Sequence, residues 1–202
     1  MGENKRAIIV GIPGVGKTTV ITRAAEILSN RGYKTSVVVF GTVMFEEAKK
    51  QGLKDRDEMR KMSVEDQRRL QDTAARRIAE MKDPVVLIDT HLFINTREGY
   101  YPGLPVRLLE IMRPTNFVMI AADPGEIINR RRTDSTRQRD VASPEEIQHE
   151  LEISKVMVAS CSILTGSPFV IVMNREGKID EAASNIAKAL TGGDDGERKK
   201  NE

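Results

Sequence analysis

The chain has 202 residues, 39% of them apolar and 31% charged, with 32 Lys and Arg against 30 Asp and Glu for a net charge of +2. That balance excludes a disordered chain and a dedicated polyanion binder, and the absence of Trp with only 4% aromatic residues leaves no stacking platform for single-stranded nucleic acid. The single cysteine, Cys161, excludes an internal disulfide and a multi-cysteine zinc site, and no stretch approaches the ~18 apolar residues of a membrane span, so a cytoplasmic domain with no membrane or nucleic-acid partner is expected.

Residues 7–10 open the pattern as a short β-branched run without polar alternation, which reads as a strand buried on both faces of a parallel sheet. Directly after it stands Gly11-Ile12-Pro13-Gly14-Val15-Gly16-Lys17-Thr18, a full match to G-x-x-x-x-G-K-[ST]. Glycines let the backbone curl so that successive N–H groups face one anion, and the helix that follows aims its positive end at the same point. Lys17 adds a full charge near the β- and γ-phosphates, and the Thr18 hydroxyl is placed to ligate Mg²⁺. The helix expected over Lys17–Asn30 stops at Gly32.

A second strand is expected over 36–40. Residues 41–84 are then too long for a plain crossover and read as an appendage able to close over a ligand. It contains a helix from Ser63, an N-cap followed by Glu65 and Asp66, and it carries Arg56, Arg60 and Lys61, any of which could grip a monophosphate. The third strand, 85–88, ends in Asp89, which beside a phosphate cradle can hold a magnesium-bound water. His91 follows within reach of a ligand, whereas His149 lies inside a helical stretch and reads as structural.

The fourth strand is expected over 117–120, with Asp123-Pro124 as the turn out of it. Five arginines follow: Arg130, Arg131, Arg132, Arg137 and Arg139. Folded onto a transferring phosphoryl group they would spread its charge; the bland alternative is a solvated face or ion pairs to Asp134 and Asp140. Arg131 and Arg132 individually read as surface. Ser143-Pro144-Glu145-Glu146 starts a helix with an N-cap, a proline at the first position and a glutamate at the third, running to about Leu164. A fifth strand over 169–172 and a helix over 179–190 complete the domain, and the charged tail 192–202 has no apolar anchor, so disorder is expected there. The alternation of strand and helix means a doubly wound α/β domain.

If the acceptor is a nucleoside monophosphate, its phosphate is mostly ionised at pH 7 and needs no base, which suits a chain with many arginines and two histidines. A GTPase-type switch needs an N-K-x-D element, and Asn174-Arg175-Glu176-Gly177 lacks its Lys and Asp. A nucleic-acid-associated ATPase fits poorly with the balanced charge, and another small-molecule or nucleoside monophosphate kinase of the CMP or UMP type is the alternative within enzymes.

Five segments together resemble the archaeal-type adenylate kinases, over most of the chain up to about Leu190: the glycine-rich motif through Thr19, Lys54-Asp55-Arg56-Asp57-Glu58-Met59-Arg60-Lys61, Ile88-Asp89-Thr90-His91, Gly99-Tyr100-Tyr101-Pro102-Gly103-Leu104-Pro105, and Thr136-Arg137-Gln138-Arg139-Asp140. The resemblance implies reversible transfer from MgATP to AMP. It implies a P-loop NTPase fold over 1–191, with a five-stranded parallel sheet of order 2-3-1-4-5, an AMP-binding insertion at about 41–84 and a short lid at about 130–142. It places ATP on Gly11, Ile12, Pro13, Gly14, Val15, Gly16, Lys17, Thr18 and Thr19, and AMP on Thr42, Arg60, His91 and Arg97, with Arg60 on its phosphate. Lys17, Arg130, Arg137 and Arg139 fall on the transferring group, and Thr18 and Asp89 on Mg²⁺. A homotrimer is the expected assembly. In the 95–97 loop this chain departs from the family: its basic residue, Arg97, is shifted by two positions.

Overall fold

The computed structural model describes residues 4–133 and 142–193, Arg60 by its backbone alone. Seven strands and eight helices follow in chain order among these residues. β1 (Lys5–Val10) leads through the glycine-rich turn into α1 (Lys17–Asn30), and β2 (Thr35–Val39) into α2 (Phe40–Lys50). Then come α3 (Arg56–Lys61), α4 (Val64–Ala79), β3 (Val85–Asp89), β4 (Phe93–Thr96), β5 (Gly99–Pro102) and α5 (Val106–Met112). The chain finishes with β6 (Asn116–Ala121), α6 (Pro124–Thr133), α7 (Pro144–Thr165), β7 (Phe169–Met173) and α8 (Ile179–Thr191).

Five strands form one parallel sheet in the order β2-β3-β1-β6-β7, which is 2-3-1-4-5 when only this sheet's strands are counted; β4 and β5 pair separately as an antiparallel hairpin. The central strands behave as their β-branched runs predict. All five residues of β3 and the last four of β1 are buried. Ile8, Ile88 and Phe117 are fully inaccessible, and burial of each contributes ~1.5–3 kcal/mol. The outermost strands do not follow that expectation. Val37 and Val39 on β2, and Phe169, Ile171 and Met173 on β7, keep 37–45% of their surface exposed. An outer strand has one neighbour in the sheet, so its other flank is left open.

α1 packs on β1, β2 and β3 and against α8; α7 packs on β6 and β7 and meets α5, which meets α4. The caps read from sequence are in place. Ser63 Oγ accepts from the Asp66 N–H, and Ser143 and Glu146 form a reciprocal capping box with Pro144 at the start of α7. Cys161 is buried on α7. Four helices were not foreseen: α2, α3, α5 and α6. Phe40 begins α2 instead of ending β2, and Pro124 opens α6 at a position where its missing N–H costs nothing, so the expected turn is a helix start.

Candidate active site

The glycine-rich turn bridges the carboxyl end of β1 and the start of α1, at the centre of the sheet. Gly14 and Gly16 have φ of 93° and 81°, in the left-handed region that suits glycine. Space is as restrictive as torsion. A Cβ on Gly11 would lie 2.6 Å from the Ile120 carbonyl oxygen, and one on Gly16 would lie 2.4 Å from Asn174 Nδ2. Gly16 caps α1 without a side-chain hydrogen bond, and no acid stands in the helix's first turn, so the positive end of α1 is left to an incoming anion.

Lys17 folds back across the turn. Its Nζ lies 2.6 Å from Asp89 Oδ1 and donates to the Thr90 carbonyl at 2.6 Å, with only 11% of its side chain exposed. Burial pushes the Lys17 ammonium down from its ordinary value, against the opposing pull of the Asp89 carboxylate. Asp89 ends β3, and residue and side chain are about nine-tenths buried. The two groups expected to serve a phosphate and its magnesium therefore pair with each other here. Thr18 and Thr19 stand exposed on the first turn of α1. Asp89 and Thr18 are hard oxygen donors, and among the described residues no three or more His, Cys, Asp or Glu converge as a metal cage. That donor set fits magnesium carried in on nucleotide phosphates, which needs one or two protein ligands.

α6 runs beside the turn. Arg130 donates to Glu126 at 2.9 Å, to the Asn174 carbonyl at 3.1 Å and to the Val15 carbonyl at 3.3 Å. Arg131 corrects the surface reading. Its side chain is 11% exposed, donates to the Pro13 carbonyl at 2.9 Å and pairs with Glu150 at 3.1 Å. Arg132 is exposed, as expected. The roughly 100° between successive helix positions separates the two neighbours, and composition carries no signal of it. Arg137 and Arg139, with Asp134 and Asp140, lie outside the described residues.

The residues expected around an acceptor are spread over three elements. Thr42 sits on α2, where its hydroxyl accepts from Arg56 at 3.4 Å, and the Arg56 guanidinium also lies 5.3 Å from the Phe45 ring. Arg60 is on α3. His91 is exposed between β3 and β4, its backbone so close to Gly103 that a Cβ there would lie 2.3 Å from the His91 oxygen. Arg97 is exposed at the tip of the β4–β5 hairpin, remote in sequence from the helical insertion. His149 is exposed on α7, its ring 6.2 Å from that of Tyr100.

Comparison with known proteins gives three kinds of likeness. Residues 10–148 match the family described as AAA domain. The chain is 42% identical over 190 residues to the adenylate kinase of Methanocaldococcus jannaschii, covering 93% of this chain and 99% of that one. It is 44% identical over 187 residues to the adenylate kinase of Thermoplasma acidophilum, covering 92% and 98%, and 39% identical over 193 residues to that of Saccharolobus solfataricus, covering 92% and 99%. Among solved structures, shikimate kinase from Acinetobacter baumannii aligns with a TM-score of 0.59 at 18% identity, covering 94% of this chain and 95% of that one. Shikimate kinase from Bacteroides thetaiotaomicron aligns at 0.56 and 14%, covering 92% and 98%. At those identities the structures speak for the fold alone.

Proposed function

This chain belongs to the adenylate kinase family, and we propose that it transfers the terminal phosphoryl group of ATP to AMP, reversibly, giving two ADP. The observation that carries the reading is the near full-length identity to adenylate kinases, which spans the phosphate cradle and the helical insertion alike.

In this proposal Gly11, Ile12, Pro13, Gly14, Val15, Gly16, Lys17, Thr18 and Thr19 bind the ATP phosphates. Lys17 brings its ammonium to the β- and γ-phosphates. Thr18, and Asp89 through water, would hold magnesium. When bound, that ion offsets charge on the phosphate oxygens. The acceptor AMP lies against Thr42, Arg60, His91 and Arg97. Its phosphate is already ionised at pH 7, so the protein aligns, excludes water and neutralises charge instead of removing a proton. Arg130 stands beside the cradle, and with Arg137 and Arg139 it spreads the charge of the transferring group.

The same proposal places the enzyme in the cytoplasm and in a homo-oligomer, a trimer by resemblance. No helix among the described residues is long and apolar enough to cross a membrane. α7 carries a second apolar side, with Val156, Ile163 and Leu164 between 60% and 83% exposed, which suits contact between copies. A monomer mass in sedimentation equilibrium would remove the oligomer from the proposal. The catalytic reading is tested by a coupled assay with MgATP and each nucleoside monophosphate, and shikimate, at equal concentration. AMP is expected to be the preferred acceptor. Turnover of CMP or UMP at or above the AMP rate would replace it with another nucleoside monophosphate kinase.

A further inference from the structure

We infer that Asn174, at the exit of β7, positions the ATP phosphate site by locking one peptide plane of the glycine-rich turn, and that Arg131 locks a second. The inference rests on the reading of that turn as the phosphate site.

A trans peptide is planar, and its C=O and N–H point in opposite directions. Holding a carbonyl outward therefore turns the N–H of the next residue inward. Asn174 Nδ2 donates to the Val15 carbonyl at 2.8 Å, with Arg130 as a longer second donor at 3.3 Å. The N–H on the far side of that plane belongs to Gly16. Arg131 donates to the Pro13 carbonyl at 2.9 Å, and the N–H on the far side of that plane belongs to Gly14. Gly14 and Gly16 are the two positive-φ residues of the turn, so these are the planes that glycine leaves freest to rotate. Each is pinned from outside, by a different element, at the carbonyl that faces away from the ligand.

Asn174 itself is held for this task. Its N–H donates to the Ala121 carbonyl at 2.7 Å at the end of β6, its own carbonyl accepts from Arg130 at 3.1 Å, and the residue is 3% exposed. Its Oδ1 is buried without a hydrogen-bond partner. Turning the amide over would set two acceptors against each other at Val15, so the orientation is fixed, and the orphan oxygen is the cost of presenting the nitrogen. A residue serving only to fill the end of β7 would be better apolar. The amide also occupies the space where any Gly16 side chain would sit, so Asn174 and Gly16 fit as a pair.

The test is calorimetry of the full chain with MgATP and, separately, with AMP. Asn174→Leu keeps most of the bulk and removes both the donor and the orphan oxygen, so the fold is expected to survive. MgATP should bind that variant about 10-fold more weakly, equivalent to ~1.4 kcal/mol, while AMP affinity stays within about twofold. Arg131→Met, which keeps the stem and drops the donor, should weaken MgATP by about threefold with the same indifference to AMP. A wild-type protein that binds no MgATP overturns the phosphate-site reading itself. A wild-type protein that binds MgATP, with a folded Asn174→Leu variant that binds it as tightly, overturns the positioning role. So does equal weakening of MgATP and AMP, which is the signature of general loosening. If Asn174→Leu does not fold, the Arg131→Met result decides by the same criteria.

Discussion

Lys17 pairs with Asp89 and donates to the Thr90 carbonyl, so its loss acts twice. Lys17→Met takes a full charge from a largely water-excluded phosphate site and is expected to lower kcat by ~10³-fold or more, about 4 kcal/mol of transition-state stabilisation. It also leaves Asp89, 9% exposed, without its cation, so the melting temperature should fall by several degrees while far-ultraviolet circular dichroism stays native. A variant keeping a tenth of wild-type turnover would sink the assignment of Lys17 to phosphoryl transfer. Both residues were legible in the sequence because their roles attach to a fixed spacing: Lys17 is the seventh residue of an eight-residue motif, and Asp89 ends an apolar run. Arg131 and Asn174 were not. What matters in each is one hydrogen bond to a backbone carbonyl more than a hundred positions away, a relation made by the crossover of β6 and β7 and written in no local pattern.

At the scale of elements, the helical insertion hangs together by charge as much as by apolar contact. α2 and α4 meet through Arg77, which donates to Glu46 at 2.7 Å and to Glu47 at 3.0 Å, while Lys50 reaches Glu47 at 2.7 Å. The Lys50 hydrogen bond first, and then Arg77, hold the Glu47 carboxyl below its ordinary value against the opposing effect of burial. A carboxyl whose folded value lies below its unfolded one contributes stability above the unfolded value and loses it as pH falls through the folded one. Glu47→Gln should therefore lower the melting temperature by about 2–4 °C at neutral pH. The gap to wild type should narrow at acid pH, below the ordinary carboxylate range. An equal gap at both pH values would assign the loss to packing and not to charge. The sheet strands and the long helices were legible because apolar period and capping residues coincide in them. α2, α3, α5, α6 and the hairpin were not. α3 and α5 have 6 and 7 residues, too few to establish a period. The hairpin turns on Arg97-Glu98 before Gly99 and lacks the Asn-Gly or Asp-Gly signal of a two-residue turn.

At the scale of the molecule, the question is whether two nucleotides face each other across the sheet's carboxyl edge. The cradle lies at the strand-order reversal between β1 and β3, where open α/β sheets bind ligands. The insertion follows the neighbouring β2 and the hairpin follows β3, so both emerge at the same edge. A one-site ATPase would gain nothing from a ligand carrying a second adenosine. An adenylate kinase holds ATP and AMP in line, so two adenosines tethered through a polyphosphate make the second binding event intramolecular. The tether also sets its excess negative charge where Lys17 and the arginines of the cluster are proposed to converge. Such a compound should bind at least ~10²-fold more tightly than ATP or AMP, a gain of roughly 2.7 kcal/mol. It should compete with both substrates and raise the melting temperature beyond either alone. Thermal shift and calorimetry with Mg²⁺ and each ligand measure this directly. Binding no tighter than ATP, with AMP still able to enter alongside, would mean that no second nucleotide pocket faces the cradle, and the placement of AMP against Thr42, Arg60, His91 and Arg97 would fall with it.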